Sequence, residues 1–234
     1  LVAGIIQGLA GFGFSLFAAS AFLLLIGSGE AVQLLIVINL AISLALIGPL
    51  WKDADRTVLK RFVGGALIGL PSGLVLFKVA AVEQLELMVG VVILLFVGAS
   101  VMRSAVDSGS ESTPGVAGGL ATGVLAGAMT TSLGMPGPPA VVYLLAVGLS
   151  KDATRATTLT FFVFAYAASL ILQLVMVGVD RDVWLNAAVL VPVAMLASAI
   201  GHRLSSRVSE KVFRVGVLLL LAGTGIFALA QALT

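Results

Sequence analysis

Two glycine- and proline-rich stretches interrupt otherwise apolar sequence, and they hold groups that could bind a solute within the membrane. The first is "GFGF", from Gly11 to Phe14, and the second is "GMPGPP", from Gly134 to Pro139. Glycine lets the backbone approach a ligand closely, and proline presets the first turn of a following helix. The free N–H groups of such a first turn attract anions. The two breaks are therefore predicted to form a site without charged side chains.

Uncharged polar side chains lie close to both breaks, and Gln7 and Thr130 are further donors nearby. Any one membrane Ser or Thr more often bonds its own helix or a neighbour, so the prediction depends on the paired breaks. No catalytic residue, metal ligand or cofactor is expected. The predicted substrate-binding residues are Gly11, Phe12, Gly13, Phe14, Ser15, Asn39, Thr131, Ser132, Gly134, Met135, Pro136, Gly137, Pro138 and Tyr143.

The charged side chains can all be placed in loops or at the ends of apolar runs, and the chain has no cysteine. Apolar spans without His, Cys or acids lack the nucleophiles, bases and metal ligands of most intramembrane enzymes, so an enzyme is not expected. Glu30 and Asp152 are interpreted as first-turn partners of helix dipoles. His202 is interpreted as a solvated residue at a span end. Arg155 is interpreted as a cytoplasmic retention charge, with attraction of an anion as the alternative.

Composition indicates the elements that must position these residues. The chain is 60% hydrophobic and 10% charged, against about 25% charged residues in soluble domains, and its mean hydropathy is +1.18. These values predict an all-α polytopic membrane protein in a lipid bilayer, without a nucleic-acid partner. The apolar runs predict about 8 main transmembrane segments, at about 20 residues each; they cover 1–27, 31–50, 62–79, 84–102, 115–149, 153–178, 184–201 and 212–233.

The two halves of the chain repeat. "GIIQG" at 4–8 parallels "GVLAG" at 123–127, and each is followed by a break and then by "SGEA" at 28–31 or "SKDA" at 150–153. Ser28 and Ser150 are predicted to be helix N-caps. The sequence thus predicts an N-terminal transmembrane repeat over 1–102, a linker over 103–114 and a C-terminal transmembrane repeat over 115–234. Each repeat contains a re-entrant or half-helix element at its break.

The basic residues decide how the repeats are oriented. If 115–149 crosses the membrane once, the 13 Lys and Arg residues divide six against seven. If the chain reverses at 133–139, eleven lie on one side and only Lys78 and Arg181 on the other. Because basic residues favour the cytoplasm, the second model is preferred. It predicts inverted-topology repeats, with the loops at 51–61 and 202–211 both cytoplasmic.

Two further patterns concern packing. Glycines at four-residue intervals predict close helix–helix contact, and Pro71 is expected to kink its helix. The aromatic run "TFFVFAY" at 160–166 is interpreted as core packing, with pore lining as the alternative. The spaced glycines are Gly65, Gly69 and Gly73 in one segment and Gly119, Gly123 and Gly127 in another.

The segment "GMPGPPAVVYLL" followed by "SKDATRATT" resembles the second half of the sulfite exporter TauE/SafE family, also called the toluene-sulfonate uptake permease family. The segment "GLAGFGFSLFAASAFLLL" with "GEAVQLLIVINL" resembles its first half. The resemblance implies transport of sulfite, sulfonates and related sulfur or organic anions across the cytoplasmic membrane of prokaryotes. Many family members have a "GGG"-like first break, whereas this chain has "GFGF".

The predicted function is accordingly that of a permease or exporter for small sulfur-containing anions such as sulfite, sulfonates or sulfoacetate. An anion channel and a transporter of a non-sulfur organic anion are the alternatives, because neutral dipoles can also select ions in a pore. The direction of transport, the coupling ion and the oligomeric state stay open, with a homodimer among the candidates. The sequence begins at Leu1 rather than at a methionine, which leaves open whether a segment precedes it.

Overall fold

The computed structural model describes residues 1–81 and 115–206, together with isolated residues at 84, 87, 88, 91, 208, 209, 212, 215, 216, 219 and 223. The predicted linker at 103–114 and most of the runs at 84–102 and 212–233 lie outside the described residues. The described elements are helices: α1 (Val2–Ala10), α2 (Phe14–Ile26), α3 (Glu30–Leu50), a 3₁₀ turn (Trp51–Asp53), α4 (Arg56–Val79), α5 (Val116–Leu133), α6 (Gly137–Ala146), α7 (Lys151–Met176) and α8 (Arg181–Ser205).

Five of these helices are long and apolar enough to cross a membrane, namely α3, α4, α5, α7 and α8. The all-α polytopic membrane fold is thereby confirmed, while the count of about 8 segments stays a prediction. The shorter α1 and α2 meet at the first break, and the shorter α6 follows the second. The apolar runs at 1–27 and 115–149 are thus each divided at the predicted place.

Backbone conformation ends the helices at both breaks. Gly11 closes α1 at φ +81°, and Gly13 precedes α2 at φ +114°. Gly134 closes α5 at φ +65°, and its N–H donates to the carbonyl of Thr130 over 2.9 Å. L-residues with a side chain rarely adopt such φ values, so these glycines are required by the turn. Pro138 then lies in the first turn of α6, where it has no helical N–H to lose.

The chain reverses direction at the second break. The Tyr143 hydroxyl, on α6, donates to the carbonyl of Gly115 at the start of α5, over 3.3 Å. Gly118 and Gly119, in the first turn of α5, also lie against Tyr143. Helix α6 therefore runs back alongside α5.

The first turns of α7 mark one end of the bundle. The Thr157 hydroxyl accepts a hydrogen bond from the Asp55 N–H over 2.9 Å. The Lys151 ammonium donates to the carbonyls of Ser205 at 3.0 Å and Val208 at 2.7 Å. The segments at 51–55 and 205–208 therefore lie at the same end, which we call the basic end. Of the Lys and Arg residues that the structure describes, those at this end are Lys52, Arg56, Lys60, Arg61, Lys151, Arg155 and Arg203.

The opposite end carries the other two described basic residues. Lys78 is in the last turn of α4, and Arg181 is the first residue of α8. Both helices have more than 20 residues, or over about 30 Å at the usual rise, so these residues lie a membrane thickness from the basic end. The described basic residues are distributed as the model with a chain reversal predicts.

Glycine faces join the two halves. A methyl group added at Gly65, Gly69 or Gly73 of α4 would meet backbone of α5, and one added at Gly123 would meet the Phe62 carbonyl. The predicted close packing of these helices is confirmed. A second pair follows the same rule, since Gly8 of α1 and Gly201 of α8 each face the other helix's backbone. The sequence analysis did not anticipate this second pair.

The two expected caps have different outcomes. The Ser150 hydroxyl accepts from the Ala153 N–H over 3.3 Å at the start of α7, so this N-cap is confirmed. The prediction for Ser28 is wrong, because α3 begins at Glu30 with Gly29 at its N-cap. The Ser28 hydroxyl only accepts a long bond from the Glu30 N–H, at 3.4 Å. Glu30 and Asp152 both lie in first turns, as predicted.

Candidate functional site

The two breaks meet at a small cavity inside the bundle. The cavity has a volume of about 10 Å³, roughly the room that one water needs. None of the lining side chains is charged. The cavity is lined by Gln7, Phe12, Gly13, Ser15, Leu16, Asn39, Met135, Gly137, Pro138, Phe162 and Tyr166.

Gln7 connects the two helices of the first break and keeps an unpartnered donor beside the cavity. Its side chain is buried, and its Oε1 accepts from the Phe14 N–H over 2.9 Å. This bond satisfies one of the free N–H groups at the start of α2 and fixes which amide atom is the oxygen. The Nε2 group of Gln7 has no partner among the described residues. A buried amide without a partner is costly, so this donor is available to a bound solute.

A chain of hydrogen bonds joins the first break to the second. The Asn39 Nδ2 group, on α3, donates to the Ser15 hydroxyl over 2.9 Å, and this hydroxyl donates to the Gly134 carbonyl over 2.6 Å. The Tyr166 hydroxyl, on α7, donates to the same carbonyl over 3.2 Å. Helices α2, α3 and α7 are thereby linked to the Gly134 carbonyl through hydrogen bonds. Since a hydroxyl has two lone pairs, Ser15 can still accept one more hydrogen bond.

Half of the predicted site residues line this cavity, from both breaks and from α3. They are Phe12, Gly13, Ser15, Asn39, Met135, Gly137 and Pro138. The first break and the second are in direct proximity here: a methyl group added at Gly137 would lie 3.5 Å from Phe12 Cδ2. The structure thus brings together residues that are more than 100 positions apart in the chain.

The other predicted site residues lie beside the cavity or away from it. Ser132 donates to the Ala128 carbonyl of its own helix over 2.8 Å, and Thr131 keeps a buried hydroxyl without a described partner. Gly134 contributes its carbonyl through the bonds above, and Pro136 is the N-cap of α6. Tyr143 lies nearly two turns along α6 from the break. Its ring meets the Phe62 ring edge-on, at 5.5 Å between centroids. The remaining two are Gly11, which faces Arg155, and Phe14, whose N–H bonds Gln7.

A comparison with family models agrees with the resemblance seen in the sequence. The model of the sulfite exporter TauE/SafE family matches residues 1–228. The chain belongs to this family. The match includes both breaks and all the described helices, so the chain is a multi-pass membrane protein of a permease and exporter family. Searches of curated proteins and of solved structures found no match.

Two aromatic side chains of α7 complete the cavity of this TauE/SafE protein. Phe162 and Tyr166 line it, and their rings meet edge-on at 5.5 Å between centroids. Their neighbour Phe161 instead packs against Phe62 in the core, at 5.3 Å. The aromatic run at 160–166 therefore serves both of the interpretations weighed for it. The four-residue spacing of Phe162 and Tyr166, one helical turn, is the signal that separates them from Phe161.

Arg155 and His202 differ from their sequence-based interpretation. The Arg155 side chain is 2% exposed, although it lies near the start of α7. Its Nη2 group donates to the Gly8 carbonyl over 2.8 Å and to His202 Nδ1 over 3.1 Å. His202 is therefore a half-buried member of α8 with a specific partner, and the interpretation as a solvated end residue is wrong.

Proposed function

We propose that this TauE/SafE protein carries small sulfur-containing anions, such as sulfite, sulfonates or sulfoacetate, across the cytoplasmic membrane of a prokaryote. The anion is held between the two breaks by backbone N–H groups and by amide and hydroxyl side chains. The observation that carries the proposal is that Gln7, a lining residue of an uncharged cavity between both breaks, keeps a buried Nε2 donor without a partner among the described residues. Such a cavity offers donors to an oxyanion without a carboxylate to repel it.

An inverted repeat accounts for the arrangement around the cavity. Helix α1 packs against α8 through glycine, and α4 packs against α5 in the same way. In such a repeat α1 corresponds to α5 and α4 corresponds to α8. Exchanging the two halves therefore converts the pair α1–α8 into the pair α5–α4. The chain reversal at the second break and the charges of the basic end support the same symmetry. In inverted-repeat transporters the solute binds near the axis that relates the halves, which is where the two breaks meet.

The size of the cavity implies that transport requires movement. A space for about one water does not hold a sulfonate, so the half-helices must separate to admit the anion. We propose that this conformation is an occluded state between solute-binding states. The glycine pairs α1–α8 and α4–α5 join the two halves, and we propose that the movement takes place along these contacts.

A carboxylate anion is the second candidate substrate. Hydrogen-bond donors recognise oxygen atoms, and they do not by themselves distinguish sulfur from carbon as the centre of an oxyanion. The substrate class is therefore decided by competition: excess unlabelled sulfite, methanesulfonate or acetate is added while uptake of labelled sulfite is measured. Flux that saturates with sulfite separates a transporter from an anion channel.

The experiment that tests the site replaces Gln7 by glutamate in proteoliposomes. Glu has the same shape and keeps an oxygen for the Phe14 N–H, but it replaces the free donor by an oxygen that repels anions. Sulfite uptake per folded protein should fall at least tenfold. The matched control is Gln33→Glu, at another buried glutamine, which is not among the lining residues and whose Nε2 donates to the Gly178 carbonyl over 2.9 Å. Equal uptake by Gln7→Glu and wild type would overturn the site, and equal loss in both variants would attribute the effect to burying any carboxylate.

A further inference from the structure

Arg155 is a buried cation without a buried counter-charge. Its guanidinium bonds a backbone carbonyl and an imidazole nitrogen, which are both neutral acceptors. Its Nε group is buried and has no partner among the described residues. Asp152, the acid three positions earlier on α7, is exposed; it attracts the guanidinium through space, but no described Asp or Glu forms a close ion pair with Arg155.

Such an arrangement is unfavourable unless a further anion offsets it. Arginine stays charged in proteins, so burial cannot be relieved by loss of a proton. Buried charges are normally paired, because the cost of removing one from water is large. A basic residue that only keeps a loop in the cytoplasm can stay exposed, as Arg203 does. That role gives no reason to bury Arg155. In a membrane transporter an ionisable group inside the bundle is a functional candidate by default.

The position of Arg155 connects it to the first break. A methyl group added at Gly11 would lie 3.3 Å from Arg155 Cγ, so the two residues are in contact. Gly11 is next to Phe12, which lines the cavity. Arg155 also holds the Gly8 carbonyl, one residue beyond Gln7. The guanidinium therefore lies directly on the basic-end side of the central site.

One face of α7 continues from Arg155 through the cavity. Residues on this face recur every three or four positions and fall within an arc of about 80°. Three of them keep a buried polar atom without a described partner, namely Thr158, Ser169 and Gln173. The stripe covers about 27 Å of helix axis, close to the thickness of the hydrocarbon core. Its members are Arg155, Thr158, Phe162, Tyr166, Ser169 and Gln173.

We propose that Arg155 forms an anion subsite at the basic-end entrance of the central cavity and makes the protein select anions over neutral solutes. The anion passes between this subsite and the cavity along the face of α7 on which Thr158 lies, and it or its water would satisfy the unpartnered Thr158 hydroxyl. The ligand class is a small monovalent or divalent oxyanion. This inference depends on the proposed transport function, because it assigns the charge selection of that same path.

The test compares a charged solute with a neutral one of the same shape. Methanesulfonate and methanesulfonamide are used as competitors of labelled sulfite uptake in proteoliposomes. Wild type should be inhibited at least tenfold more strongly by the sulfonate. In Arg155→Gln this preference should fall at least fivefold and the KM for sulfite should rise about tenfold, and Arg155→Lys should restore most of the preference. Arg203→Gln removes an equal but exposed charge at the same end and should leave preference and KM within twofold of wild type.

A second variant covers the case in which Arg155→Gln does not fold. Thr158→Asp keeps the arginine and its bond to Gly8 but supplies a carboxylate one turn along the same face. It should lower the preference for the sulfonate at least fivefold, as Arg155→Gln does. An unchanged preference in either folded variant would overturn the subsite, while saturable sulfite uptake in the same vesicles would leave the proposed function standing. Wild-type vesicles that take up no sulfite would overturn both.

Discussion

Replacement of Gly137 by alanine should impair solute binding without damaging the fold. Gly137 is the first residue of α6 and lines the cavity. A methyl group there would lie 3.5 Å from Phe12 Cδ2 and 3.5 Å from Phe162 Cζ, which is ordinary van der Waals contact. The φ of this residue is outside the left-handed region, so alanine adopts the same backbone without strain.

The expected magnitudes follow from this geometry. Gly→Ala at a compatible position stabilises by about 0.4–1 kcal/mol, because the unfolded chain loses freedom. The free energy of unfolding of Gly137→Ala should therefore be equal to that of wild type or higher by this amount. The added methyl group takes up much of the cavity, which has room for only about one water. We expect at least tenfold weaker sulfite binding, or about 1.4 kcal/mol.

Thermal unfolding with and without sulfite measures both quantities in one assay. At a sulfite concentration of 100 times the wild-type Kd, binding stabilises wild type by about 2.7 kcal/mol. A tenfold weaker variant gains only about 1.4 kcal/mol at the same concentration. Its melting temperature without sulfite should be no lower than that of wild type, but its shift on adding sulfite should be about half as large.

Gly69→Ala is the matched control, since the same methyl group is added on a packing face. The new Cβ would fall on the Val124 carbonyl of α5, so the two helices must separate, at a cost of about 1–3 kcal/mol. This variant should melt lower and, where folded, keep its full shift with sulfite. Gly13 is a poorer probe, because its φ of +114° strains any side chain. A full sulfite shift in Gly137→Ala would refute the placement of the anion beside Gly137.

Three further predictions concern topology, helix dipoles and the bonds at the second break. A cysteine at Lys52, on the basic end, should resist an impermeant thiol reagent applied outside cells, whereas one at Arg181, at the opposite end, should react; labelling at both positions would contradict the predicted sidedness. Glu30→Gln should lower the free energy of unfolding by about 0.3–1 kcal/mol as a lost first-turn dipole partner, and loss of transport by well-folded protein would identify Glu30 as a coupling acid. Tyr166→Phe should cost about 0.5–1.5 kcal/mol in thermal unfolding, because the Gly134 carbonyl keeps one donor; a larger loss would mean that this bond is not the main role of the hydroxyl.

The sequence predicts the features that depend on backbone chemistry. The dense run of glycine and proline from Gly134 to Pro139 predicts a helix break, and the break lies where predicted. Regular glycine spacing in α4 and α5 predicts a close contact, because two helix backbones can touch only where no side chain stands between them. The division of the basic residues also follows from their positions in the sequence, once the chain is taken to reverse at 133–139. These properties need no knowledge of which helices are neighbours.

The features that depend on neighbours could not be predicted in this way. Gln7 becomes a capping group because α2 returns beside α1, and only then is its Nε2 left without a partner. Arg155 looks like a loop-end charge until α1 and α8 enclose it. Its spacing of seven from Phe162 and eleven from Tyr166 places all three on one face of α7, and this is the signal that sequence reasoning passed over.

Locating a bound heavy anion tests the placement of the substrate between the two breaks most directly. Selenite has the shape and charge of sulfite, and selenium can be positioned by anomalous scattering in crystals grown with it. We expect one selenium peak within hydrogen-bonding reach of the Gln7 Nε2 group, between the first turns of α2 and α6, with excess sulfite removing the peak. A sulfite-displaceable selenium peak on another surface of the protein, with none between the breaks, would contradict the account.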